Sequence, residues 1–227
     1  MLQKLVLVIL RSLFLYDYIW ARRGSIFLGL FFTVAVFASI ESLKASIIAL
    51  LLLSLAYWIA GMVRVESYAA IIALIPAAWM SATQAVIDYF QSSIDPLGEI
   101  AIGIRALTAS LATLYLLHFY NPLELAYLLR RIGGCRASYI PLLLPKIISE
   151  LLREAVEALH AHSLKKTPAW KTLSILLYNS QEMMPKHAEG LAQRIDTCNP
   201  RPLYSLKAII LQAGLIVALL LADIFTP

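Results

Sequence analysis

The side chains of this chain that are best suited to chemistry are four histidines and two cysteines. His160 and His162 flank Ala161, and together with His118 and His187 they could be imagined as a metal site. Residues two apart on a helix point in different directions, which argues against such a site. We expect no metal ligands and interpret the paired histidines as exposed residues at a helix end.

The sequence lacks the common catalytic motifs. Cys135 and Cys198 have no metal-type spacing, so neither a zinc site nor a disulfide framework is predicted. There is no Gly-rich phosphate loop ending in Gly-Lys-Ser or Gly-Lys-Thr, no Gly-x-Ser-x-Gly and no His-Glu-x-x-His. We therefore predict no catalytic residue, no cofactor and no enzymatic activity.

The elements that carry these residues are strongly apolar. Apolar residues make up 60% of the chain and charged residues 15%, and the mean hydropathy is +0.77. This is too apolar for a soluble domain and predicts an all-α, multi-pass membrane protein. A helix across the hydrocarbon needs roughly 20 residues. Five uncharged runs are predicted to be membrane helices: residues 24–40, 45–63, 67–87, 106–123 and 208–222.

These runs define four predicted regions: an interfacial segment at 1–23, membrane helices at 24–119, a cytoplasmic coupling-helix region at 120–207 and a final membrane helix at 208–227. Residues 120–207 hold 12 of the 19 Lys and Arg residues. With the N-terminus inside, 17 of the 19 are cytoplasmic, which predicts this orientation in the cell membrane. The net charge of +5 is then explained by the excess of cations on the cytoplasmic side, with some attraction to the lipid bilayer. Nucleic-acid binding is not expected.

Helix signals punctuate the basic region. Asn121 as N-cap, Pro122 at the first position and Glu124 predict a helix start, and Gly133 with Gly134 predicts its end. Two longer amphipathic helices are predicted to begin near Pro145 and Thr167. Small residues would let these two helices cross closely: Ala155, Ala158, Ala188 and Ala192.

The order of the predicted elements resembles that of the transmembrane T component of energy-coupling factor (ECF) transporters, including the cobalt-type branch. This order is four membrane segments, an Asn-Pro-Leu-Glu helix ending in Arg-Arg-Ile-Gly-Gly, two amphipathic helices and one last span. The resemblance covers about residues 22–223. In that family both coupling helices end in Ala-Arg-Gly, and the arginines dock into cytoplasmic ATPases. The corresponding positions here are Ala161, His162 and Ser163 in the first helix, and Ile195, Asp196 and Thr197 in the second.

Neither position keeps the Ala-Arg-Gly triplet. His162 could present a cation only when it is protonated. Asp196 reverses the charge, so an acidic groove would repel it unless Arg194 takes over the contact. Arg201 either continues this docking surface or is a basic anchor on the cytoplasmic side.

The resemblance implies a subunit without chemistry of its own. Two ABC-type ATPase subunits would move the helix ends, and the crossed helices would pass the motion to a membrane S component that binds a vitamin, cobalt or nickel. The alternative is a membrane scaffold or a stand-alone small transporter that has lost ATPase coupling.

Arg105 directly precedes the uncharged run 106–123, and we place it within the fourth membrane helix as the one charge near the depth of a span. Intramembrane charges are usually paired and functional. The alternative is an arginine that extends to the outer interface.

Overall fold

The computed structural model describes residues 20–91, 95–141 and 201–225, together with Glu157, Pro185 and Glu189. Every regular element in this part of the chain is helical, which confirms the all-α prediction for the described residues. A 3₁₀ turn, η1, is followed by six helices: η1 Trp20–Arg23, α1 Ile26–Ser39, α2 Leu43–Ile59, α3 Val63–Phe90, α4 Pro96–Phe119, α5 Pro122–Ser138 and α6 Leu206–Phe225.

Helices lie at all five positions where membrane helices are predicted, but their lengths differ. Among the described residues, α3 with 28 residues and α4 with 24 are long and apolar enough to cross a membrane. Helices α1 and α2 have 14 and 17 residues. At about 1.5 Å per residue, α1 covers only about 21 Å of a hydrocarbon layer roughly 30 Å thick. The number of membrane crossings therefore stays a prediction.

Helix α4 begins ten residues earlier than the uncharged run that predicts it. It starts at Pro96, whose fixed φ suits the first helical position, with Asp95 as the preceding residue. The helix includes Glu99 and Arg105, and the uncharged run begins only after Arg105. The helix therefore extends beyond the uncharged run and includes Arg105, because a charged side chain interrupts an apolar run without interrupting a helix.

The chain divides into two compact units, residues 15–120 with 204–227, and residues 1–14 with 121–203. In the first unit α4 packs against α1, α2 and α3, while α6 packs against α1 and α2. The α3–α4 contact is close because Gly103 lies against Ser81, where any larger side chain would collide. The Ser81 hydroxyl donates to the Glu99 carbonyl oxygen at 3.0 Å.

In the second unit the described helix is α5. Asn121 caps it, since its Oδ1 accepts from the backbone N–H of Leu123 at 3.1 Å and of Glu124 at 3.4 Å. Gly134 interrupts it with φ 73°, a left-handed conformation that favours glycine. The Asn121 cap confirms the predicted start, and Gly134 breaks the helix where its end was predicted, although helix resumes and runs to Ser138. Most of the predicted crossing helices, and the predicted interfacial residues 1–19, lie outside the described residues.

Candidate functional site

A buried set of polar and aromatic side chains joins α2, α4 and α6, and we call it the polar cluster: Tyr57, Tyr115, His118 and Gln212. Each has at most 1% of its surface exposed. The Tyr57 hydroxyl and His118 Nδ1 share a hydrogen bond of 2.7 Å, and their rings meet edge to face at 5.7 Å. His118, considered above as a metal ligand, is thus a hydrogen-bonded histidine of the helix core.

Aromatic rings enclose the polar cluster on the α1 and α4 sides. Phe119 stacks on Tyr115 with ring centroids 4.4 Å apart and meets Tyr57 edge to face at 5.3 Å. Phe32 of α1 contacts Tyr115 edge to face at 5.2 Å. Such pairs add specific geometry to apolar burial, so the rings fix the positions of the polar groups that they surround.

Gln212 connects α6 to the start of α1. Its Oε1 accepts a hydrogen bond from the backbone N–H of Ser25 at 2.9 Å. Gly24 makes room for it, since a Cβ on Gly24 would lie 2.5 Å from Oε1, whereas a Cβ on Gly29 would make only an ordinary contact 3.5 Å from Nε2. The Tyr115 hydroxyl and Gln212 Nε2 are buried without a hydrogen-bond partner among the described residues.

Two hydrogen bonds link η1 to the helices beside it, and we call this region the junction. Arg22 Nε donates to the His118 carbonyl oxygen at 3.1 Å near the end of α4. The backbone N–H of Ser205 donates to the Arg23 carbonyl oxygen at 2.8 Å just before α6. Burial raises the pKa of the Tyr120 phenol, and nearby Arg22 lowers it by less. The two hydrogen bonds therefore hold the end of α4 and the start of α6 against the 3₁₀ turn η1.

A further hydrogen bond joins the two ends of the segment between α4 and α6. Asn121, besides capping α5, donates from Nδ2 to the Leu203 carbonyl oxygen at 3.0 Å. One side chain thus connects the first and nearly the last residue of a stretch of more than 80 residues. Further along α5, the Arg131 guanidinium lies 5.5 Å above the Tyr127 ring, a cation–π contact.

The predicted docking and crossing residues are almost all outside the described part of the chain. This holds for Ala161, His162, Ser163, Arg194, Ile195, Asp196 and Thr197, and for Ala155, Ala158, Ala188 and Ala192. Arg201 is described and is exposed. Arg105 is half-buried, and its Nε is buried without a partner among the described residues.

Cys135 is disulfide-bonded in the structure, so the prediction of no disulfide was wrong. Spacing in the sequence cannot decide pairing, because a disulfide depends on whether the fold brings the two Cβ atoms to about 3.5 to 4.5 Å in a suitable orientation. Cys198, the one other cysteine of the chain, lies outside the described residues. Within the described ranges, no three His, Cys, Asp or Glu side chains are grouped as a metal site would require.

Comparison of the chain with protein-family models, curated proteins and solved structures finds no match. The functional argument therefore depends on the contacts within the molecule. Sequence reasoning missed the polar cluster, because Tyr57, the α4 pair Tyr115 and His118, and Gln212 are far apart in sequence and look like isolated polar residues in apolar runs. The available signal was Gln212, the only amide side chain in the uncharged run 208–222.

Proposed function

We propose that this chain is the membrane-embedded coupling subunit of an ECF-type importer. It passes ATP-driven motion of two cytoplasmic ATPases to an S component that takes up a vitamin or a transition-metal ion such as cobalt or nickel. The proposal includes a multi-pass arrangement in the cell membrane with the N-terminus and residues 120–207 on the cytoplasmic side. Two long apolar helices and the distribution of 17 basic residues support that arrangement.

The observation that carries the proposal is the junction. Arg22 and Arg23 bind the end of α4 and the chain just before α6, so these two parts of the helical unit, which flank the basic segment in sequence, are held at one place. Asn121 joins the two ends of that segment through its hydrogen bond to the Leu203 carbonyl oxygen. A lever must be attached at a fixed base if motion at its tip is to move the body. These hydrogen bonds hold together, within each unit, the chain ends at which such a lever would be attached.

The polar cluster supplies the second requirement, which is a body that moves as a unit. Tyr57 joins α2 to α4 through His118, and Gln212 joins α6 to the chain before α1 through Ser25. Buried hydrogen bonds are costly to break because each leaves an unpaired polar group. Force applied at the junction is therefore transmitted to four helices together.

The direct test is affinity purification of the tagged chain from its native membranes in mild detergent, followed by mass spectrometry. We expect two ABC-type ATPases and a small, apolar membrane protein. Recovery of the intact chain with neither would overturn the proposal and favour a scaffold or a stand-alone transporter.

A charge variant sharpens this test at the second predicted helix end. Asp196→Arg restores the charge found in the ECF family and should strengthen binding to the ATPases, since an acidic groove repels Asp196. Glu41→Arg makes the same charge change at an exposed position just after α1 and should leave binding unchanged. Equal ATPase affinity of the Asp196→Arg variant and the unmodified chain would show that this helix end does not enter an acidic groove.

A further inference from the structure

The disulfide of Cys135 lies at the surface of the molecule. Cys135 is exposed and directly follows Gly134, whose left-handed backbone interrupts α5. Ser138 Oγ donates to the Cys135 carbonyl oxygen at 2.7 Å, where the helix resumes. Reduction of a disulfide requires that a thiolate reaches one of its two sulfur atoms. The exposure of Cys135 therefore leaves this bond open to thiol–disulfide exchange.

A tyrosine hydroxyl lies beside the sulfur atom of Cys135. Tyr139 Oη and Cys135 Sγ are 3.6 Å apart, and the tyrosine is the donor because a disulfide sulfur carries no hydrogen. When a disulfide is reduced, one cysteine leaves as a thiolate, and a better-stabilised thiolate leaves faster. Cations favour the thiolate as well, and Arg130, Arg131 and Arg136 lie within five residues of Cys135 in the sequence. Cys135 is therefore the leaving sulfur that this environment favours.

The disulfide restrains the basic segment between α4 and α6. Cys198 is the one other cysteine of the sequence, so a disulfide within one chain joins residues 135 and 198. Both residues lie between Asn121 and Leu203, whose hydrogen bond already joins the ends of this segment. A disulfide holds its two Cα atoms within about 7 Å of each other. The segment that has to move under the proposed coupling role is therefore restrained as long as the bond is closed.

We propose that the Cys135 disulfide is a reversible redox switch on the coupling movement, and that Tyr139 promotes its reduction. The oxidised chain couples poorly, because the segment is restrained, and the reduced chain couples fully. This inference rests on the proposed function, which places residues 120–207 in the cytoplasm. Disulfides in that compartment are usually transient and catalytic or redox-sensing. The switch explains why a bonded cysteine lies in a segment that the charge distribution places on the reducing side.

The reductant is a dithiol, and its two thiols supply two electrons and two protons. One thiolate attacks the sulfur of Cys198, the S–S bond breaks, and Cys135 leaves as a thiolate that takes up a proton. The second thiol attacks the mixed disulfide and releases the other cysteine as a thiol, while the reductant leaves as a disulfide. Exchange with an oxidised dithiol in the opposite direction closes the switch again.

The rate of reduction tests the role of Tyr139. The full chain in detergent is treated with dithiothreitol, and free thiols are alkylated with a maleimide-linked polymer and counted from the gel shift. We expect two thiols to appear, and Tyr139→Phe to slow their appearance roughly three- to tenfold through loss of the hydrogen bond to the leaving sulfur. Tyr127→Phe is the control, because the Tyr127 ring contacts the Arg131 guanidinium, and it should leave the rate unchanged. Equal rates in both variants, or reduction only after unfolding, would overturn the inference.

ATP hydrolysis by the purified complex, measured together with its thiol state, keeps the two proposals apart. The complex is taken from native membranes and either oxidised with diamide or reduced with dithiothreitol. We expect roughly fivefold faster hydrolysis in the reduced state, a typical coupling between two sites. Cys135→Ser should give the faster rate in both conditions, because it cannot form the disulfide. Hydrolysis that does not depend on the thiol state, or an effect that persists in Cys135→Ser, would overturn this inference alone. Absence of the ATPases in both states would remove the coupling role and the switch that acts on it.

Discussion

Gln212 is the residue on which the contact between α6 and the start of α1 depends. It is fully buried, accepts a hydrogen bond from Ser25 and lies so close to Gly24 that a methyl group there would collide with its amide. A glutamine side chain is flexible, but this one cannot move without losing the Ser25 hydrogen bond. Gln212 can therefore accept the hydrogen bond from Ser25 only because residue 24 has no side chain.

We expect Gly24→Ala to destabilise the protein by about 1 to 3 kcal/mol, the usual cost of adding atoms to a packed interior. The melting temperature in detergent should fall by about 2 to 4 °C for each kcal/mol. Gly214→Ala in α6 is the control, because no atom lies within 4 Å of its added Cβ. If Gly24→Ala collides with Gln212, its cost should largely disappear in a Gln212→Ala background. An undiminished cost there would show that the collision is with another group.

At the scale of the elements, the helices follow from composition but their lengths do not. Uncharged runs predict a helix near each of α1, α2, α3, α4 and α6, because an apolar run of this length must satisfy its backbone internally. The start of α4 depends on Pro96 and on packing against α3, neither of which hydropathy records. The polar cluster could not be predicted, since Tyr57 and His118 are 61 residues apart and meet only in the folded chain.

Helix α5 shows what local sequence does determine. The Asn-Pro-Leu-Glu start and the glycine at its break are short-range signals, and the structure contains both the cap and the left-handed Gly134. The second role of Asn121 is a long-range contact with Leu203 that the capping pattern does not indicate. One residue thus combines a predictable function with an unpredictable one.

Two substitutions of Asn121 separate these roles. Asn121→Ala removes both the cap and the hydrogen bond to Leu203, and we expect a loss of about 1 to 2 kcal/mol, with the cap alone typically contributing about 1. Asn121→Asp keeps an oxygen that can cap α5 but has no N–H to donate, so its melting temperature should lie between those of the unmodified chain and Asn121→Ala. If Asn121→Asp is as unstable as Asn121→Ala, the contact with Leu203 is the dominant contribution.

At the scale of the whole molecule, two arguments place Cys135 in opposite compartments. Disulfides persist mainly in oxidising compartments, and Cys135 is disulfide-bonded. The positive-inside rule places the same segment in the cytoplasm, together with 17 of the 19 Lys and Arg residues. We adopt the charge argument, because reversing the orientation would require most of these cations to cross the membrane.

Cysteine labelling in intact cells decides between them. In a Cys135→Ser, Cys198→Ser background, single cysteines replace Phe90 at the end of α3 and Ile132 in α5, which are 81% and 85% exposed. A membrane-impermeant maleimide should label Phe90→Cys from outside, and Ile132→Cys only after the cells are permeabilised. The reverse pattern would place the basic segment outside, where it could not meet cytoplasmic ATPases, and would remove the coupling role. Matching gel-filtration profiles of the cysteine-free and unmodified chains show that the background is folded, so that either pattern reports the orientation of the native protein.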